Sequence, residues 1–277
     1  MKFTKMHGLG NDYVYVNCFE EQVENPAETA RLVSDRHTGI GSDGLILICP
    51  SEVADFQMVM YNADGSRAQM CGNGIRCVGR YVHDRGLTDK TTLTVETLGG
   101  IKTLQLHLED GKAVSVTVDM GEPVLEPARI PVLAAGDRVV NLPLEAAGQT
   151  WQVTCVSMGN PHAVVFVDDP AALPLEQLGP QFENHPLFPE RINTEFVRVD
   201  SPEELTMRVW ERGAGETQAC GTGACASAAA AVLTGNCKPA VTVHLPGGDL
   251  KIHWNRQNNH IFMTGPATFV FDGETII

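Results

Sequence analysis

Two cysteines in matching surroundings carry the strongest chemical signal in this chain. Cys71 and Cys220 each begin a Cys-Gly-x-Gly stretch, and each stretch opens a segment of helical character. A thiol placed there faces unpaired backbone N–H groups and the positive end of a helix dipole. Both favour the thiolate and can bring a cysteine pKa down to about 3.5 to 7.5. The glycines let backbone donors approach a ligand closely, and such a loop can cradle a carboxylate. A single cysteine ahead of a helix is ordinarily a small buried residue, whereas two equivalent ones ask for a reaction that uses both. Hydrolysis and acyl transfer need one nucleophile with an oriented base, which leaves a symmetric second thiol idle. Inverting a carbon stereocentre needs a base on one face and an acid on the other. A thiolate and a thiol supply both, exchanging roles with the hand of the substrate, and this points to a racemase or epimerase. Pyridoxal phosphate is the usual electron sink for such chemistry, but none of the seven lysines lies in either cysteine block. No cofactor is therefore expected, and helix N-termini are left to hold the substrate carboxylate.

The elements that position the cysteines are duplicated. The segment from Met58 to Gly74 aligns without a gap on Met207 to Gly223, at an offset of 149, with Met58, Gln69, Cys71, Gly72 and Gly74 meeting Met207, Gln218, Cys220, Gly221 and Gly223. The same offset carries Gly10-Asn11 onto Gly159-Asn160. In each copy an apolar strand (Phe56 to Tyr61; Thr206 to Trp210) leads through a Gly-rich loop into a helix. The first helix is expected over Asn73 to His83 with its stop near Gly86, and the second over Thr222 to Leu233 with its stop at Gly235. The small side chains from Ala224 to Ala231 suit a central helix wrapped by a sheet. Alternating strands follow each helix, with Asp110-Gly111 as a hairpin turn. The expected fold is α/β of the α+β type: two pseudo-symmetric repeats, each a mostly antiparallel sheet around a central helix. The halves are drawn as 1–118 plus 265–277, carrying Cys71, and 119–264, carrying Cys220, with a site shared between them.

These same residues carry a family resemblance. Met70-Cys-Gly-Asn-Gly-Ile-Arg-Cys77 and Glu211-Arg-Gly-Ala-Gly-Glu-Thr-Gln-Ala-Cys-Gly-Thr-Gly-Ala224 resemble the two cysteine signatures of the diaminopimelate epimerases. Lys5-Met-His-Gly-Leu-Gly-Asn-Asp12 resembles their N-terminal motif. The resemblance implies a cofactor-independent isomerase, usually a homodimer, that interconverts LL- and meso-diaminopimelate in the supply of lysine and peptidoglycan precursors. Carried over by position, it makes Cys71 and Cys220 the acid/base pair, with His162 and Glu211 assisting the thiols. Asn11, Asn62, Asn160, Asn193, Glu211 and Arg212 become ligand contacts, and the N–H groups of Gly72-Asn73 and Gly221-Thr222 the carboxylate cradle. The distal end of that substrate is an amino acid, which gives Glu211 and the Asn side chains an ammonium and Arg212 a carboxylate to bind. Without the resemblance Glu211-Arg212 reads as a surface ion pair, His162 as a structural histidine and the Asn residues as turn formers. There is one departure: at position 44 some family members carry a glutamine that contacts substrate, whereas this chain has Gly44, the repeat mate of Asn193. A contact there falls to water or backbone.

Composition limits the alternatives. Acidic residues outnumber basic ones 34 to 20, a formal charge of -14, which speaks against nucleic acid or an anionic membrane surface as partner. The longest apolar run, Ala224 to Leu233, is too short to span a bilayer. Eight cysteines in 277 residues and a polar N-terminus fit a reducing, cytoplasmic home better than a disulfide-stapled secreted one. Gly39-x-Gly41-x-x-Gly44 runs into the apolar strand Leu45 to Cys49 where a dinucleotide site requires a helix, and the glycines after Cys220 lack both an adjacent strand and an acidic partner. Cys71-x5-Cys77 and Cys220-x4-Cys225 point their sulfurs in different directions on a helix, so no metal is expected. A proline or hydroxyproline racemase would also use two cysteines, but its substrate gives Arg212 and the Asn set nothing to bind. A phenazine-type isomerase would share the fold without the thiols, and a redox or metal-binding protein is the alternative from outside catalysis.

Overall fold

Alternating apolar and polar residues dominate the chain, and the computed structural model, which describes residues 1–276, holds far more strand than helix. The polypeptide forms two units, Met1–Asp119 with Thr264–Ile277, and Met120–Met263.

In the first unit β1 (Lys2–Gly8) and β2 (Asn11–Asn17) make an antiparallel hairpin. Its turn residues Leu9 and Gly10 both have positive φ, 57° and 84°, the backbone hand that a two-residue hairpin turn requires. After α1 (Pro26–Ser34), whose Asn25 cap accepts from the Glu28 N–H, β3 (Gly44–Cys49) lies parallel to β2 and β4 (Phe56–Asn62) antiparallel to β3. A two-residue strand, β5 (Arg67–Ala68), precedes α2 (Gly72–Asp84). Then β6 (Thr92–Thr97) pairs parallel with β4, and β7 (Gly100–Glu109) and β8 (Lys112–Gly121) continue antiparallel through the Asp110-Gly111 turn.

The second unit repeats this pairing. It comprises β9 (Leu142–Ala146), β10 (Gln149–Ser157), β11 (Pro161–Phe166), α3 (Leu175–Glu183), β12 (Asn193–Ser201), β13 (Glu204–Glu211), β14 (Gly215–Glu216), α4 (Gly221–Leu233), β15 (Ala240–Leu245) and β16 (Gly248–Trp254), with β17 (Ile261–Pro266) at its end. The order antiparallel, parallel, antiparallel, parallel, antiparallel along β10, β11, β12, β13, β15 and β16 is that of β1, β2, β3, β4, β6 and β7. The final strand, β18 (Thr268–Glu274), pairs antiparallel with β1, as β9 does with β10.

Each unit is organised around its second helix. Ten residues of α2 and ten of α4 are buried, so both helices are enclosed on nearly every side rather than along one stripe. Small residues make that enclosure feasible. A Cβ on Gly79 of α2 would sit 2.8 Å from Leu104 Cδ2, and one on Gly223 of α4 would sit 2.6 Å from Glu195 Oε1. The one large polar side chain inside α2, Arg76, is fully buried and keeps its donors bonded to Pro266 O, Gly72 O and Asn73 Oδ1. Both helices stop at glycines of positive φ, Gly86 and Gly235.

Candidate active site

Cys71 is the N-cap of α2 and Cys220 the N-cap of α4. The extended backbone of an N-cap turns the side chain back over the first free N–H groups of its helix. The Gly74 N–H donates to Cys71 Sγ at 3.4 Å, and Cys71 Sγ–H donates to Asn11 Oδ1 at 3.2 Å. The Asn11 amide can be oriented in only one way. Its Nδ2 donates to the Asp43 carboxylate at 2.7 Å, so its oxygen faces Cys71 and also accepts from Asn73 Nδ2 at 3.3 Å. Asp43 is in turn bonded to Arg36. Cys71, Asn73 and Asn11 are thus brought together, with Gly72 at the first turn of the helix. Asn62 stands opposite Gly44 across β3 and β4, and its side chain donates to Ser66 Oγ of its own turn.

The second unit holds a chemically different set. His162 pairs with Asn193 in the parallel register of β11 and β12, and it is completely buried. Its Nδ1 is 2.7 Å from Glu195 Oε1 and its Nε2 is 3.0 Å from Asn160 Oδ1. Glu195 is also fully buried, and its Oε2 has no hydrogen-bond partner among the described residues. Burial raises the Glu195 pKa against the pull of His162 beside it. Asn193 acts as a brace: its amide donates to Pro161 O and its oxygen accepts from the Arg212 N–H. Glu211 accepts from Thr217 Oγ1, and the half-exposed Arg212 donates from Nη1 to Glu190 O. Thr222 Oγ1 lies 3.5 Å from Cys220 Sγ, and Gly221 begins α4.

Helix N-termini alone led us to expect depressed thiol pKa values, and the folded protein reverses that expectation. Burial raises Cys71 above its ordinary value, opposed by the Gly74 and Asn73 N–H groups, the Tyr13 hydroxyl and the Arg76 charge. Burial raises Cys220 much further, because the negative charges of Glu211 and Glu195 act in the same direction. Desolvation of the thiolate therefore outweighs the helix donors in both units, and Cys71 is the stronger acid of the two. All eight cysteines are free thiols. No cluster of three or more metal-binding side chains occurs among the described residues.

Three participants escaped the sequence reading: Glu195, Asp43 and Tyr13. The offset of 149 carries Tyr13 onto His162, a signal present in the sequence. Glu195 is the one acid inside the otherwise apolar or small run from Thr194 to Val197, where an unpaired charge has no reason to be. Gly44 is also explained. A Cβ there would lie 2.2 Å from Tyr61 O and 3.0 Å from Tyr13 Cε1, so a side chain at this position has no room.

Two like units, each wrapping a sheet around a buried helix capped by cysteine, define a protein of the racemase and epimerase fold class. The fold matches a phenazine biosynthesis protein of the PhzF family from Bacillus anthracis, with a TM-score of 0.72 over 100% of this chain and 99% of that one, at 18% identity. A probable proline racemase from Agrobacterium radiobacter gives a TM-score of 0.71 over 100% and 93% of the two chains, at 13% identity. Such low identities show the fold alone. The sequence relationship is closer. The family profile described as diaminopimelate epimerase matches residues 3–126 and 154–270. Proteins named diaminopimelate epimerase share 63% identity in Acetivibrio thermocellus, over 99% of this chain and 98% of the relative, and 57% in Methanococcus maripaludis, over 99% of each. The chain belongs to the diaminopimelate epimerase family. Among the described residues no helix is long and apolar enough to cross a membrane.

Proposed function

We propose that this protein is an isomerase that interconverts LL- and meso-diaminopimelate with Cys71 and Cys220 as its acid/base pair. The observation that carries the reading is the duplication of a cysteine N-cap on a buried helix, in a chain of this family. Roles follow from the two environments. Cys71 is raised less than Cys220 and has Arg76 nearby, so it gives up its proton more readily and serves as the base. Cys220, beside Glu211 and Glu195, keeps its proton. In the reaction the thiolate takes the α-proton, and the electron pair of the broken C–H bond spreads into the carboxylate, which accepts from the N–H groups of Gly72-Asn73 and Gly221-Thr222. The Cys220 S–H then delivers its proton to the opposite face. The enzyme is left with Cys71 as thiol and Cys220 as thiolate, ready for the reverse direction or for re-equilibration with water. His162 and Glu211 tune the thiols, and Asn11, Asn62, Asn160, Asn193, Glu211 and Arg212 bind the substrate, whose distal amino acid supplies one charge of each sign.

The proposal includes no cofactor and no nucleic-acid or membrane partner. It places the enzyme in the cytoplasm, where a reducing environment keeps both thiols active, as a homodimer working in lysine and peptidoglycan precursor synthesis. The family resemblance and the free thiols support these assignments. The test is conversion of LL-diaminopimelate to the meso form by purified protein without pyridoxal phosphate, with L-proline as the competing substrate. Turnover of L-proline without turnover of diaminopimelate would overturn the assignment.

A further inference from the structure

We propose that Glu183, the last residue of α3, is a positioning residue for Glu211 and Arg212: its one carboxylate clamps the chain on both sides of that dipeptide and so aims the two side chains that bind the distal amino acid of the substrate. This rests on the reading of Arg212 as a substrate contact. Glu183 is 7% exposed. Its Oε2 accepts from Trp210 Nε1 at 2.8 Å, and its Oε1 accepts from the Gly213 N–H at 2.9 Å and from Arg191 Nη1 at 3.0 Å. Trp210 immediately precedes Glu211, and Gly213 immediately follows Arg212.

The local backbone explains why a clamp is needed. Glu211 ends β13, and β14 begins after a gap of three residues. The Ala214 N–H closes the turn on Glu211 O at 3.1 Å, and Gly213 takes a φ of 78°, in the left-handed region that favours glycine. A turn this short has few bonds of its own, yet it carries two side chains that must be held in place for binding. The helix α3 supplies the support from outside. Trp210 can reach Glu183 because Gly179, one helical turn earlier, has no side chain: a Cβ there would lie 2.1 Å from Trp210 Cδ2. Arg212 leaves the turn with its N–H on Asn193 Oδ1 and its Nη1 on Glu190 O. Three donors, one of them the Arg191 cation, offset the cost of burying the Glu183 carboxylate.

The repeat shows what is particular to the second unit. Adding 149 carries Ser34 onto Glu183, Ser42 onto Arg191, and Asn62-Ala63-Asp64-Gly65 onto Glu211-Arg212-Gly213-Ala214. Ser34 is likewise the last residue of its helix, its hydroxyl accepts from Ser42 Oγ at 3.2 Å, and the Gly65 N–H closes the turn on Asn62 O at 2.9 Å. The arrangement is therefore shared, but a pair of hydroxyls in the first unit becomes a carboxylate and a guanidinium in the second. In the first unit the turn is held at Asp64 O by Arg31 of α1. The longer acidic side chain, able to grip two backbone-borne donors at once, stands in the unit whose turn carries Glu211 and Arg212.

The test is Glu183→Gln, read by steady-state kinetics on LL-diaminopimelate. The carboxamide keeps the size of the side chain but sets an NH₂ donor against the N–H of Trp210 or of Gly213, so one side of the clamp is lost. KM is expected to rise about tenfold or more, and kcat to fall by a smaller factor, because groups that bind the substrate are misaimed while the proton carriers stay in place. A variant that is only less stable loses active protein, and with it kcat, at constant KM. A kcat loss that equals or exceeds the rise in KM overturns the proposal. Trp210→Phe removes one of the donors and keeps an aromatic ring on Gly179, so it should raise KM in the same sense by a smaller factor. That measurement stands even where Glu183→Gln fails to fold, and an unmoved KM in it overturns the proposal as well. Arg212→Lys in the same assay isolates the underlying reading. An unmoved KM there removes Arg212 from the substrate site, whereas a raised KM there beside an unmoved KM for Glu183→Gln overturns the clamp alone.

Discussion

The order of the two thiol acidities is set by which charges each cysteine meets after burial has acted on both. Arg76 stands near Cys71, and Glu211 and Glu195 stand near Cys220. As pH rises Cys71 should therefore ionise first, and alkylation of the free enzyme should label it at a lower pH than Cys220. Time-resolved peptide mapping checks this, and preferential labelling of Cys220 would reverse the assignment of base and acid. Substitution tests the roles more directly. Cys71→Ala and Cys220→Ala are each expected to reduce epimerisation by at least about 10³-fold, because inversion stops when either proton carrier is lost and general acid–base catalysis contributes about 10² to 10⁴ per group. Both variants should keep the circular dichroism of the parent. An alanine variant with near-parental turnover would exclude a two-thiol mechanism.

At the scale of elements, the glycine three residues after each cysteine is held by different neighbours, and so should tolerate alanine differently. In α2 a Cβ on Gly74 would meet Ile46 Cδ1 at 2.7 Å, the free end of a flexible side chain. In α4 a Cβ on Gly223 would meet Glu195 Oε1 at 2.6 Å, an oxygen already bonded to His162. Gly74→Ala should cost about 1 to 3 kcal/mol from overpacking, less about 1 kcal/mol of regained helix propensity. Gly223→Ala must push a buried carboxylate away from His162 and should cost about 3 to 5 kcal/mol. Urea denaturation of the two variants measures the difference, and equal losses would show that Glu195 moves freely. Much at this scale was legible in the sequence. The repeat located both helices to within a residue or so of Gly72–Asp84 and Gly221–Leu233, because a Gly-rich opening and a terminal glycine bracket each of them. The strands Thr92–Thr97 and Gly100–Glu109 followed from alternation. The helices Pro26–Ser34 and Leu175–Glu183 were missed: each has nine residues, and the second carries Pro180 inside it, so neither offers a sustained helical period. Tyr13 and Glu195 were missed for another reason. Inside strands a phenol looks like a core aromatic and a lone acid looks like a solvated side chain, and only strand register shows what each one faces.

For the whole molecule, the question is whether the two units contribute to a single event at one carbon. If Cys71 and Cys220 work from opposite faces, the proton removed by one sulfur stays there while a different proton arrives from the other. Product formed in D₂O from one stereoisomer should then carry deuterium at the inverted carbon from the first turnover, while recovered substrate remains almost unlabelled. That asymmetry requires the thiol that has taken the substrate proton to hold it until the intermediate collapses, a condition that burial favours when Cys220 is the acceptor. One base swinging across the carbon within a single unit would instead return the original proton. Mass spectrometry of product and residual substrate at a few per cent conversion separates the two cases. Early product that is largely protium at the inverted carbon would defeat the division of labour between the units, even if each cysteine proved essential on its own.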